Sequence, residues 1–126
     1  MFGRLIIVQE AESTQDLARE MALNGEPEGT AVMALRQTRG RGRAGHSWIS
    51  PAGKNLALSV VVRPPVRPHE APLLGFIAAI AVAEALERRG VERALLKWPN
   101  DVFVHRRKLR ASCPRRASRG TWWNSR

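Results

Sequence analysis

The segment RQTRGRGRAGHSW, from Arg36 to Trp48, carries four arginines and three glycines. An arginine guanidinium is a planar fork of donors that suits carboxylate and phosphate oxygens. Glycine lets a backbone come close to a ligand and take positive φ. Gly40, Arg41, Gly42, Arg43 and Gly45 therefore read as a cradle for an anion, and Trp48 can wall a pocket at its end. Taken alone, the segment equally fits a solvated basic loop or an arginine-glycine RNA-binding stretch. A second stretch, KWPND (Lys97 to Asp101), puts a lysine at the end of an apolar run. Burying that ammonium is costly unless it meets an anion; the solvent face of an edge strand is the commoner place for it. A third, ESTQD (Glu12 to Asp16), caps a helix and can present the Ser13 and Thr14 hydroxyls to a polar ligand. No covalent nucleophile, phosphate-binding P-loop or metal-ligand spacing stands out, and His46, His69 and His105 are scattered. Chemistry built from this set works by positioning and by charge stabilisation of an anion.

The elements that hold these residues follow from periodicity. RLIIVQ (4–9) predicts a strand. ESTQDLAREMALNG predicts a helix, with Leu17, Ala18, Met21 and Ala22 on one apolar face and Asn24-Gly25 at its end. Residues 30–37 and 55–63 predict strands, with the arginine-glycine stretch as a loop between them. PLLGFIAAIAVAEALERR predicts a long helix, apolar nearly all round through Val82 and therefore deeply buried. Residues 94–98 and 101–105 predict a hairpin turning at Pro99-Asn100. The order β-α-β-β-α-β-β predicts an α+β domain with a mixed sheet and helices packed on one side.

Composition narrows the partner class. The 126 residues fit one domain at most, and 44% apolar content is enough for a core. The net charge of +10 points toward nucleic acid. However, residues 106–126 hold eight Lys or Arg and no acid, whereas residues 1–105 hold 13 basic and 11 acidic side chains. The excess charge therefore belongs to the tail. One cysteine, no signal-peptide pattern and an apolar run (71–83) too short for a bilayer predict a cytoplasmic protein with no membrane partner.

ESTQD, QTRGRGRAGHSW and KWPND, in this order and spacing, resemble the biotin protein ligases, and GKNLALSVVVRP fits the strand between the last two. The resemblance covers residues 8–109 and is to the catalytic domain, of the class II synthetase-like fold shared with lipoate ligases. It implies an enzyme, biotin–[acetyl-CoA-carboxylase] ligase, that uses ATP and Mg²⁺ to form biotinyl-5′-AMP. The biotin then passes to a lysine of a biotin carboxyl carrier domain. It implies no specific nucleic acid, since no helix-turn-helix precedes the domain, and it allows a homodimer. It further implies that Ser13, Thr14, Gln15 and Gln37 bind biotin, with Arg41, Gly42, Arg43 and Lys97. Gly40, Arg41, Gly42, Arg43, Gly45, His46 and Trp48 form the adenylate loop, and Lys97 and Arg43 are the catalytic cations. The rival readings are a lipoate or octanoyl transferase, a basic nucleic-acid-binding module and a degenerate fragment.

Two departures stand out. The family pattern has an arginine where this chain has His46, which predicts a looser hold on the adenylate. The second departure begins after Leu109. Residues 110–126 read as an irregular basic tail, distinct from the catalytic part at 1–109. The string LRASCPRRA can be spelled so that one nucleotide inserted after the Leu109 codon yields LAGILPEA, the family's own continuation. The tail thus reads as out of frame, and the chain as a truncated enzyme of little or no activity.

Overall fold

The computed structural model describes residues 3–98, 100–111, 113–118 and 121–125. Strand β1 (Leu5–Ala11) leads into helix α1 (Thr14–Leu23), and the chain returns as β2 (Ala31–Arg41), which pairs parallel to β1 with Leu5 opposite Ala31 and Ala11 opposite Gln37. The helix lies between two parallel strands because such strands need a crossover connection. Its apolar stripe is as periodicity predicts. Ala18 and Ala22 are buried against Val32 of β2 and Val61 of β4 (Ala57–Val62), with Leu17 and Met21 packed at the margin. Burying each of the two valines stabilises the fold by about 1.5–3 kcal/mol.

Strand β2 is long and serves two neighbours in turn. Residues 31–34 pair antiparallel with β4, and residues 37–41 pair antiparallel with β3 (Ser47–Ser50). Most of the arginine-glycine stretch is therefore hairpin rather than the expected loop. A short 3-10 turn, Arg43–Gly45, closes it, with the Gly42 N–H donating to the His46 carbonyl at 2.6 Å. Backbone pairing accounts for the difference, since both arms of the stretch find ladder partners.

Helix α2 (Pro72–Arg88) packs on β5 (Leu95–Lys97) and β6 (Asp101–Val104), an antiparallel pair as expected. Strand β7 (Arg107–Ala111) joins β6 to complete a separate three-stranded sheet. The helix is not deeply buried. Gly75, Ala79 and Ala83 face inward, and Ala79 and Ala83 meet Val102, but Leu73 and Ile77 lie open. Val82 and Leu86 pack half-buried beside that small-residue stripe, and Leu73 and Ile77 lie on the side of α2 turned away from it. Together with the 3-10 turn before it, the helical run 68–88 is long and apolar enough to cross a membrane by length and composition alone.

The tail corrects another expectation. Backbone residues Cys113–Ser118 (β8) and Thr121–Ser125 (β9) are strands rather than irregular chain. β9 pairs antiparallel with the free edge of β4, and β8 with β9, giving the order β1-β2-β4-β9-β8 with β3 beside β2. An unpaired edge is a template for whatever backbone reaches it, which periodicity in the added segment does not reveal. The fold is α+β with a mixed sheet.

Candidate functional site

The site is built where the start of α1 meets the second half of β2. Ser13 has extended backbone (φ −154°, ψ 131°), and its Oγ accepts the Gln15 N–H at 3.2 Å, which makes it the helix N-cap. The Thr14 N–H is satisfied from a distance. Gln37 Oε1 accepts it at 2.8 Å and also accepts the Thr14 hydroxyl at 3.1 Å. Thr14 Oγ1 in turn accepts the Ser59 hydroxyl at 2.9 Å. This relay of Ser59, Thr14 and Gln37 is buried throughout, so each member has little freedom to reorient.

Ser13, Thr14, Gln15 and Gln37 are thus brought together as the sequence predicts, with Ser13 and Thr14 committed to internal bonds rather than held out to solvent. Ser59 was not anticipated. Its signal was a serine in the inward-facing register of β4, between buried Ala57 and Val61.

From Gln37 onward the β2–β3 hairpin frames an open groove of about 810 Å³, and Ser13, Thr14 and Gln15, buried behind Gln37, are not among the residues that line it. Gln37, Arg39, Gly40, Arg41, His46 and Trp48 are among the residues that line it. Trp48 therefore walls a pocket as expected. Gly40 acts differently from the sequence-based reading. A Cβ there would fall far inside contact distance of the Trp48 carbonyl oxygen, and 3.0 Å from Gln37 Nε2. Its missing side chain admits the chain's own strand β3. Gly45 has φ +77°, a left-handed turn position, and Ala44 beside it has φ 53°.

The arginines of β2 are not bare. Arg36 pairs with Glu10 at 3.1 Å, Arg39 with Glu12 at 3.7 Å and Arg41 with Asp16 at 2.9 Å. The parallel register sets Glu10 opposite Arg36, while Glu12, just past β1, and Asp16, on α1, supply the other two carboxylates. These partners were missed because sequence spacing does not show which strand a charge will face. The Arg43 side chain lies outside the described residues.

Lys97 is exposed on the edge strand β5, with Nζ 5.8 Å from the centre of the Phe103 ring, and it is not among the groove-lining residues. Next to it, Trp98 is also exposed, with its ring 5.1 Å from that of Phe76 on α2. Pro99 lies outside the described residues. Asn100 is buried, and Asp101 pairs with Lys108 at 3.0 Å. Among the described residues no group of three or more His, Cys, Asp or Glu could hold a metal ion.

Known proteins resemble this chain in sequence and in fold. Residues 6–122 match the family model described as the biotin/lipoate A/B protein ligase family. The bifunctional ligase/repressor BirA of Bacillus spizizenii is 38% identical over 109 residues, covering 86% of this chain and 34% of that protein. The biotin–[acetyl-CoA-carboxylase] ligase of Mycobacterium tuberculosis is 33% identical over 108 residues, covering 82% of this chain and 41% of that one. A solved biotin protein ligase from Aquifex aeolicus, in complex with biotin and ATP, has a TM-score of 0.84 at 33% identity, over 98% of this chain and 51% of that one. The chain therefore spans about a third to a half of the length of these relatives. It belongs to the biotin/lipoate A/B protein ligase family.

Proposed function

We propose that the chain carries the biotin- and adenylate-binding half of a biotin protein ligase site. The observation that carries this reading is the Thr14–Gln37 floor lying directly beside the arginine hairpin, on a fold whose Aquifex aeolicus counterpart holds biotin and ATP. Gln37, which lines the groove, would receive biotin, with Ser13, Thr14 and Gln15 buried behind it and fixing its position. Gly40 to Trp48 would close over the acyl and phosphate groups.

The reaction that suits these groups is attack of the biotin carboxylate on the α-phosphorus of ATP. The P–O bond to pyrophosphate breaks and biotinyl-5′-AMP forms. The amine of a carrier-domain lysine then displaces AMP from the acyl carbon. Arg41, Arg43 and Lys97 supply positive charge where negative charge accumulates on phosphate oxygens. Lys97 would reach the phosphates from β5, the edge strand that carries it. Mg²⁺ accompanying ATP would add positive charge to offset the negative charge of the phosphates.

The paired state of Arg36, Arg39 and Arg41 supports a small-anion site over a nucleic-acid surface, because each charge already has a carboxylate beside it. Calorimetric titration of the chain with biotin and with lipoate tests the reading. Biotin should bind and lipoate should not. Binding of lipoate alone would move the chain to the family's other branch, and binding of neither would sink the assignment.

The out-of-frame reading of residues 110–126 is likewise proposed. It is supported by the codon spelling after Leu109, and the nucleotide sequence there decides it. An unshifted frame followed by a genuine stop would rule it out.

A further inference from the structure

Arg41 and Asp16 meet fork to fork. Nη2 lies 2.9 Å from Oδ2 and Nη1 lies 3.1 Å from Oδ1, so both terminal nitrogens of the guanidinium face one carboxylate. Asp16 stands in the first turn of α1, where the helix dipole favours a negative charge. It is therefore a carboxylate seated at a helix start and gripped by an arginine of the groove, in the manner expected of a ligand carboxylate or phosphate. The neighbouring pairs, Arg39 with Glu12 and Arg36 with Glu10, continue the row along β2.

We infer that Asp16 is a built-in stand-in for the ligand anion: it holds Arg41 at the edge of the groove, and binding proceeds by exchange of Arg41 from Asp16 to the ligand. The inference rests on the proposed reading of the groove as an acyl-phosphate site. Exchange is feasible because the pair is weak. Both side chains are close to half exposed (45% and 44%), where water screens the attraction. A buried pair would hold Arg41 against any ligand. Asp16 is thus a positioning residue whose removal should strengthen anion binding, the opposite of what a merely structural residue would do.

The experiment is calorimetric titration of the full 126-residue chain with inorganic pyrophosphate, and separately with biotin. It compares the unaltered chain with Asp16→Asn, Asp16→Glu, Arg41→Gln and the double variant Asp16→Asn/Arg41→Gln. Exchange predicts that Asp16→Asn binds pyrophosphate about two- to fivefold more tightly. Asp16→Glu should behave like the unaltered chain, and Asp16→Asn should have no effect once Arg41 is glutamine. Unchanged or weaker pyrophosphate binding in Asp16→Asn, or no binding by any variant, overturns the inference. So does a gain that persists without Arg41, which would be a bulk charge effect. A pyrophosphate pattern as expected without any biotin binding overturns the biotin assignment and leaves the exchange standing.

Discussion

Gln37 Oε1 caps helix α1 from a strand 23 residues away, accepting both the backbone N–H and the hydroxyl of Thr14. The first N–H groups of a helix have no partner within it, so a tertiary acceptor there joins helix, sheet and pocket floor in one contact. Gln37→Leu should leave two buried donors unsatisfied and destabilise the chain by about 1–3 kcal/mol. Urea unfolding should show a lower midpoint at unchanged slope. Adding Thr14→Val together with Ser59→Ala, which removes the orphaned Thr14 hydroxyl and the Ser59 donor that relies on it, should recover part of the loss.

Gly40 sits opposite Trp48 in the β2–β3 ladder, where a Cβ would collide with the Trp48 carbonyl. A backbone oxygen cannot step aside as a flexible side chain can. Gly40→Ala should therefore open the hairpin while leaving the α1 core folded. Amide exchange at Arg41 and Trp48 should accelerate, exchange at Val32 and Val61 should not, and biotin affinity should fall. Continued protection of the hairpin amides would show that the strands can shift apart without separating.

How much of this could be read in the sequence depends on range. Helix α1, its Ser13 cap and its Ala18–Ala22 stripe were legible because they rest on contacts within one or two turns. The meeting of Thr14 with Gln37 came from the family resemblance, since no local period links residues so far apart. The acidic partners of Arg36, Arg39 and Arg41 escaped notice because the β1–β2 register and the placement of α1 beside β2, not proximity along the chain, choose them. Strands β8 and β9 escaped because the β4 edge specifies their pairing more than their own residues do. Helix α2 misled for a related reason: its sequence is apolar on all sides, but only one side has a sheet against it.

The turn joining β6 to β7 stores strain. Its two central residues, His105 and Arg106, have φ of 48° and 62°. Both-positive φ marks the tight hairpin turn that matches strand twist, and it favours Asn-Gly. A side chain in the left-handed region costs roughly 1 kcal/mol or more per residue. His105→Asn with Arg106→Gly should raise the melting temperature by a few degrees. An unchanged or lower melting temperature would mean that these side chains make compensating contacts.

Glu70 gives one pH prediction. The Arg67 N–H donates to its carboxylate at 2.7 Å, and that bond chiefly holds the Glu70 carboxyl below its ordinary value of 4.5. Desolvation, the next largest influence, opposes it, and the Arg67 guanidinium, at 3.2 Å, and His69 add lesser lowering contributions. A depressed carboxyl contributes its stabilisation above its unfolded value and loses it as pH falls through the folded one. The turn before α2 should therefore stay closed at neutral pH and loosen only below about 4.5. Following the Arg67 amide by NMR should give a midpoint under that value, and Glu70→Gln should abolish the titration. A midpoint above it would contradict the hydrogen bond.

The two faces of α2 should answer oppositely to charge. Ile77 is 58% exposed and Leu73 lies one turn before it, whereas Ala79 is fully buried against Val102. An exposed apolar stripe invites association between molecules. Ile77→Lys should change stability by no more than about 0.5 kcal/mol, while shifting sedimentation toward smaller species. Ala79→Lys puts an unpaired charge into the core and should unfold the α2–β6 unit. If Ile77→Lys proved as damaging as Ala79→Lys, the outer face of α2 would have to be covered in solution, and the one-sided packing described above would be incomplete.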